Sequence, residues 1–215
     1  MKKIKLNIAA VIVLLTGISF SAFSQSFEGV IEFKKATLID TTTYIYYVKG
    51  NKVKIDEMGA KSHRVEGTFL IDLEAKTMKS LNHERKLYMD QGTPAAPVIK
   101  GTCTVKKGTN NKNIQGYKCA EYIVTNTEEN TSIAYYLADG KFSFFEKLLH
   151  QLNRKEKAPT YFLQIQDAKN MFPMLSIQTD NAGKETGRLE VTKISNKTLE
   201  ASMFEIPKGY NKFEK

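Results

Sequence analysis

Three histidines, His63, His83 and His150, are where a metal ligand or a general base would first be sought. No two of them stand at ligand spacing, and His83-Glu84 is not followed by a second His four residues after the first. A Gly-x-Ser-x-Gly nucleophile elbow is missing after the first twenty-five residues. Gly183 and Gly187 lie four apart but run into Arg188-Leu189, without the Gly-Lys-Ser/Thr of a phosphate loop, so a turn is the better reading. The carboxylate pairs Asp56-Glu57 and Glu128-Glu129 are adjacent, and on a strand adjacent side chains point to opposite faces. No catalytic residue, metal site or cofactor is therefore assigned, and the chain reads as a non-enzyme. Cys103 and Cys119 flank a segment whose Lys107-Gly108-Thr109-Asn110-Asn111 stretch is rich in turn formers. A hairpin about Asn111 would set the two sulfurs opposite each other on neighbouring strands. The expected disulfide would stabilise the fold by about 3 kcal/mol, the alternative being two unlinked buried thiols.

Redox compartment matters to that expectation, and the N-terminus speaks to it. Lys2, Lys3 and Lys5 precede an apolar run from Ile8 to Phe20, and Ala22-Phe23-Ser24 offers small residues for cleavage near Ser24/Gln25. Residues 1–25 thus read as a signal peptide and residues 26–215 as a single exported domain, periplasmic or secreted. The apolar run is shorter than the roughly 20 residues a spanning helix needs, so no transmembrane segment is expected. Formal net charge is +9, and three of the positives leave with the signal. Basic residues interleave with acids, as in Lys49 to Glu57, which argues against nucleic acid and for contact with an anionic envelope surface.

Period-two alternation dominates the rest of the chain. Phe27, Ile31 and Phe33 share one face; Tyr44, Tyr46 and Val48 alternate with Ile45 and Tyr47; Val53 and Ile55 alternate with lysines. The rhythm returns through Phe69 to Leu73, Leu87 to Met89, Tyr117 to Val124, Ile133 to Leu137, Met174 to Gln178 and Arg188 to Ile194. Connections are too short for parallel crossovers, so a mainly β (α+β) fold is predicted, built on one large meandering antiparallel sheet. Tyr44 to Val48 and Ile133 to Leu137 are apolar or aromatic on both faces, which requires cover on the second face. Lys141 to Leu152, with Phe142, Phe145, Leu149 and Leu152 on one side, is the predicted covering helix. The stretch beyond Pro159 fits a strand or a helix equally well.

Tyr44, Tyr46, Tyr135 and Tyr136, with Phe142, Phe145, Leu149 and Leu152, are the candidate lining of an apolar cavity between sheet and helix. Ordinary core packing is the competing account of the same residues.

Five segments read together in order are Phe27-Glu28-Gly29-Val30-Ile31, Tyr47 to Asp56, Leu70-Ile71-Asp72-Leu73, Gly116 to Tyr122, and Phe204 to Tyr210. They resemble an exported Bacteroidota family that carries a domain of unknown function and is grouped with LolA-like lipoprotein carriers. The resemblance implies a strongly curved half-barrel with one or two covering helices. It also implies a binding module that shelters a lipid, an acyl chain or a lipoprotein. The alternative is a structural or interaction protein of the envelope with a fully packed core.

Overall fold

Side-chain alternation builds a single sheet of thirteen strands. The structure, a computed structural model, describes residues 26–214, and the expected signal peptide lies outside them. The strands are β1 (Gly29–Thr37), β2 (Thr41–Lys49), β3 (Lys52–Met58), β4 (Val65–Asp72), β5 (Thr77–Asn82), β6 (Leu87–Gln91), β7 (Thr104–Lys107), β8 (Lys112–Ile114), β9 (Tyr117–Asn126), β10 (Thr131–Ala138), β11 (Phe172–Thr179), β12 (Glu185–Asn196) and β13 (Asn211–Lys212). Two antiparallel meanders, β1 to β6 and β7 to β12, fuse where β12 returns beside β1. The sheet is curved and does not close. Bulges between Glu32 and Phe33, and between Tyr136 and Leu137, add local bend, and Pro173 sits opposite Leu137, where a strand proline is tolerated.

Because β6 and β7 lie near opposite margins of this order, the chain between them, residues 92–103, must cross the open side. Fully extended, twelve residues reach about 40 Å. The strap is tied down by Asn153 Nδ2 donating to the Pro94 carbonyl at 2.8 Å, by half-buried Ile99, and by the Lys100 carbonyl accepting from Asn126 Nδ2 at 2.7 Å.

Helices α1 (Phe144–Leu152) and α2 (Lys157–Phe162) fill the concave side beneath this strap. Phe144, Phe145, Leu148, Leu149 and Leu152 recur at helical spacing, and all are buried. Asn153 stops α1 in the left-handed region (φ 39°), a conformation asparagine tolerates, and its N–H caps the Leu149 carbonyl at 2.9 Å. The helix starts three residues later than Lys141; Phe142 precedes it, packed among Phe27, Tyr117 and Phe172. The ambiguous segment around Pro159 contains α2, in which the proline falls in the first turn, where a missing N–H costs nothing.

Cover on the convex face comes from elsewhere in the chain. The C-terminal tail crosses it: Leu199 and Phe204 are buried, the Leu199 carbonyl accepts from Lys49 Nζ at 2.7 Å, and β13 adds to β6 in parallel. Lys49 Nζ and the Leu199 N–H both donate to Glu28 Oε1, which holds that carboxyl below its ordinary pKa, the Lys49 bond first. Beneath the tail runs a polar chain, buried at Asp56 and Thr68. Lys54 pairs with Asp56 at 3.0 Å, Thr68 Oγ1 donates to Asp56 at 2.6 Å, His83 Nε2 lies 2.7 Å from Thr68, and Tyr210 lies 2.6 Å from His83 Nδ1.

The disulfide expectation fails on register. The two-residue turn is at Gln115-Gly116, both with positive φ, so β8 pairs Lys112 with Cys119. Residues 108–111 bulge over Glu121, where the Gly108 N–H reaches its carbonyl and the Asn110 N–H its carboxylate. Cys103 lies beside Asn126, seven residues along β9 from Cys119, or about 23 Å. Both thiols are free. Among the described residues no helix is long and apolar enough to cross a membrane.

Candidate functional site

Strand alternation and the helix period converge on one place. Tyr44 and Tyr46 from β2, Tyr135 from β10, and Phe145, Leu149 and Leu152 from α1 line a common cavity. Phe33, Phe162, Phe172 and Leu189 complete the apolar wall, and Lys35, Arg154 and Glu156 stand at its polar rim. The rings interlock: Phe33 meets Tyr46 edge-on at 4.8 Å, and Phe145 meets Phe172 at 4.6 Å and Phe162 at 5.0 Å. Each such contact contributes about 0.5–1.5 kcal/mol beyond burial.

Two predicted lining residues sit elsewhere. Tyr136 neighbours Tyr135 on a strand, so it faces the convex side, where its hydroxyl donates to Glu121 at 2.9 Å and Lys112 lies over its ring at 4.2 Å. Phe142 closes the aromatic cluster before α1 begins. The charged rim escaped the sequence reading, because Lys35, although it continues the Ile31–Phe33 face of β1, carries a charge that reads as solvent-facing, and Arg154 follows the helix end.

The cavity volume is about 70 Å³. That exceeds the 10–15 Å³ or so a water needs, and falls well short of the roughly 300–1,000 Å³ of small-molecule pockets. Any larger occupant must displace α1 or α2.

Polar contacts decide how firmly those helices are held. Tyr135 donates to the Ala158 carbonyl at 2.6 Å, and burial drives its pKa well above the usual tyrosine value. Tyr46 is pushed up to about 12, by burial above all, so both phenols stay neutral. Burial works against the Arg154 charge, yet Tyr46, Tyr44 and Glu156 carry its pKa above the ordinary value. Lys35 pairs with Glu156 at 2.5 Å, an ion pair in partial contact with water and worth about 0–1 kcal/mol. Around Glu129, Tyr161 of α2 donates to the carboxylate at 2.5 Å, Lys157 Nζ from the start of α2 donates to the Glu129 carbonyl at 2.8 Å, and the Lys100 N–H of the strap donates to Glu129 Oε1 at 2.9 Å. The Tyr161 bond, then the Lys100 N–H, hold the Glu129 carboxyl below its usual range.

The histidines occupy separate places: His63 in the β3–β4 loop, His83 under the tail, and His150 on α1, 3.9 Å from Glu146.

Residues 27–210 match the family described as Domain of unknown function (DUF4412), and the chain belongs to it. The fold is similar to that of an uncharacterized conserved protein from Thermus thermophilus, with a TM-score of 0.54 at 9% identity, over 88% of this chain and 91% of that one. The complex of Pseudomonas aeruginosa MucA and MucB matches at TM-score 0.47 and 10% identity, over 85% of this chain and 56% of that one. A domain from Vibrio parahaemolyticus assigned to outer membrane lipoprotein sorting matches at 0.32 and 10% identity, over 82% and 87%. No curated protein matches the chain.

Proposed function

We propose that the protein is a non-enzymatic, exported binding module that shelters an apolar ligand, an acyl chain or a lipidated partner, between the concave sheet and the α1–α2 lid. The observation that carries this reading is a cavity walled by aromatics from the sheet and both helices, under a lid secured at its margins by a few polar contacts. Apolar packing is non-directional, so a chain of methylenes can replace helix side chains against the same wall. The family resemblance carried by the sequence agrees with this reading.

Full-length protein produced in a bacterial envelope and extracted into organic solvent is expected to yield bound lipid by mass spectrometry. The stripped protein is expected to take up a fluorescent fatty acid, and Leu149→Phe, which fills the cavity, to weaken uptake at least tenfold. Protein free of lipid that also ignores the probe would overturn the proposal. The small resting volume favours a second reading, an envelope interaction protein with a packed core. For that reading, salt-sensitive retention of anionic envelope material without lipid is the supporting result.

A further inference from the structure

On the opposite side of α1 from the aromatic cavity, a cleft of about 440 Å³ opens where the helix, the β4–β5 turn and the strap meet. Its lining is Leu73 and Lys76 from the turn, Thr93 from the strap, and Lys147, His150 and Gln151 from α1. We propose that this cleft binds an oxyanion, the phosphate or carboxylate group of a ligand.

Gln151 carries the first observation. It occupies the buried face of α1 between Leu148 and Leu152, where a leucine would pack, and only 6% of it is exposed. Its Nε2 is enclosed and has no acceptor in the protein. Buried donors are almost always paired, so an amide kept unpaired on a cleft wall calls for an acceptor from outside.

Charge supplies the second. Lys147 and His150 lie one turn apart on the helix, and Lys76 faces them from the turn, in the left-handed conformation (φ 53°). The lining includes no carboxylate. Glu146 stands 3.9 Å from His150 Nε2, and Glu74 of the same turn accepts from Asn51 Nδ2 at 3.2 Å. The C-terminal end of α1 opposes an anion with about half an elementary charge, against two ammonium groups. The cations prevail. A water could satisfy the amide but gains nothing from the two exposed, hydrated ammonium groups, which attract an anion. An oxyanion meets both needs, since its several lone pairs can accept at once from the amide, an ammonium and the Thr93 hydroxyl. This site shares no lining residue with the aromatic cavity and stands independently of what that cavity holds.

The test is a ¹H–¹⁵N spectrum of the whole protein, with the Gln151 side-chain amide identified by its disappearance in Gln151→Leu. Inorganic phosphate is expected to shift that amide saturably, and Lys76→Ala with Lys147→Ala to weaken the titration at least tenfold. A second titration uses a short-chain phosphatidylglycerol below its micelle concentration. A response to phosphate alone identifies a free anion as ligand, and a response to the lipid alone identifies a headgroup; either supports the site. Gln151→Leu should also melt higher than the parent in anion-free buffer, because it removes an unpaired buried donor. An amide unmoved by both titrants, or a double lysine variant that titrates like the parent, overturns the proposal.

Discussion

The two faces of this sheet are covered in different ways. On the concave side the cover is mainly apolar: Phe144, Phe145, Leu148 and Leu149 rest on aromatic strands, with the Tyr135 bond to the Ala158 carbonyl inside and the Glu156 and Glu129 contacts toward the margins. On the convex side the C-terminal tail is fixed by directional bonds, from Glu28 and Lys49 at Leu199 to His83 at Tyr210. Hydrogen bonds fix one geometry, because a small displacement leaves buried polar groups unpaired; apolar contacts of similar total strength survive sliding. On the proposed function, the tail side is built to stay and the helix side is the one that parts.

The largest effect that bears on this contrast is truncation of Phe172, which is 1% exposed and meets Phe142, Phe144 and Phe145. Phe172→Ala should cost about 3–5 kcal/mol in urea denaturation. Hydrogen exchange should speed up in α1 and α2 while the tail keeps its protection; equal loss on both faces would break the comparison. Next comes Thr68→Val, which removes the hydroxyl that links the Asp56 carboxylate to the His83 ring. It should cost about 1–3 kcal/mol and loosen residues 199–213 without altering fatty-acid uptake.

Acid should act on both faces. The Glu28 and Glu129 carboxyls have folded-state pKa values below their unfolded ones, Glu28 through Lys49 and Glu129 through Tyr161. Their contribution is complete above the unfolded carboxylate value of about 4.3 and is lost as pH falls through the lower folded one. Protection of the tail and of α2 should fall together below about pH 4, and Glu129→Gln should abolish the α2 part of that response. Smallest is Lys35→Ala, worth about 0–1 kcal/mol at the rim, which should leave the melting temperature nearly unchanged yet quicken ligand exchange.

Most of the sheet was legible because strict alternation, as in Tyr44-Ile45-Tyr46-Tyr47-Val48, assigns faces residue by residue. The return of β12 to β1 was not, since pairing between distant strands leaves no local trace. The cysteine register was misread because Gly108 to Asn111 looks like a turn while the working turn is Gln115-Gly116. Six of the eight cavity candidates share one wall because strand and helix periods each select a face; Tyr136 violated that parity, and Phe142 lies before the helix starts. The strap and tail carry little periodicity, so their roles as covers emerged only from the fold.

Hydrogen exchange with and without a long-chain fatty acid tests the central claim most directly. The account predicts that residues 144–165 exchange faster than 199–213 in the free protein and gain protection when the fatty acid is added, with the tail unchanged. Equal protection of the two segments, indifferent to fatty acid, would contradict it.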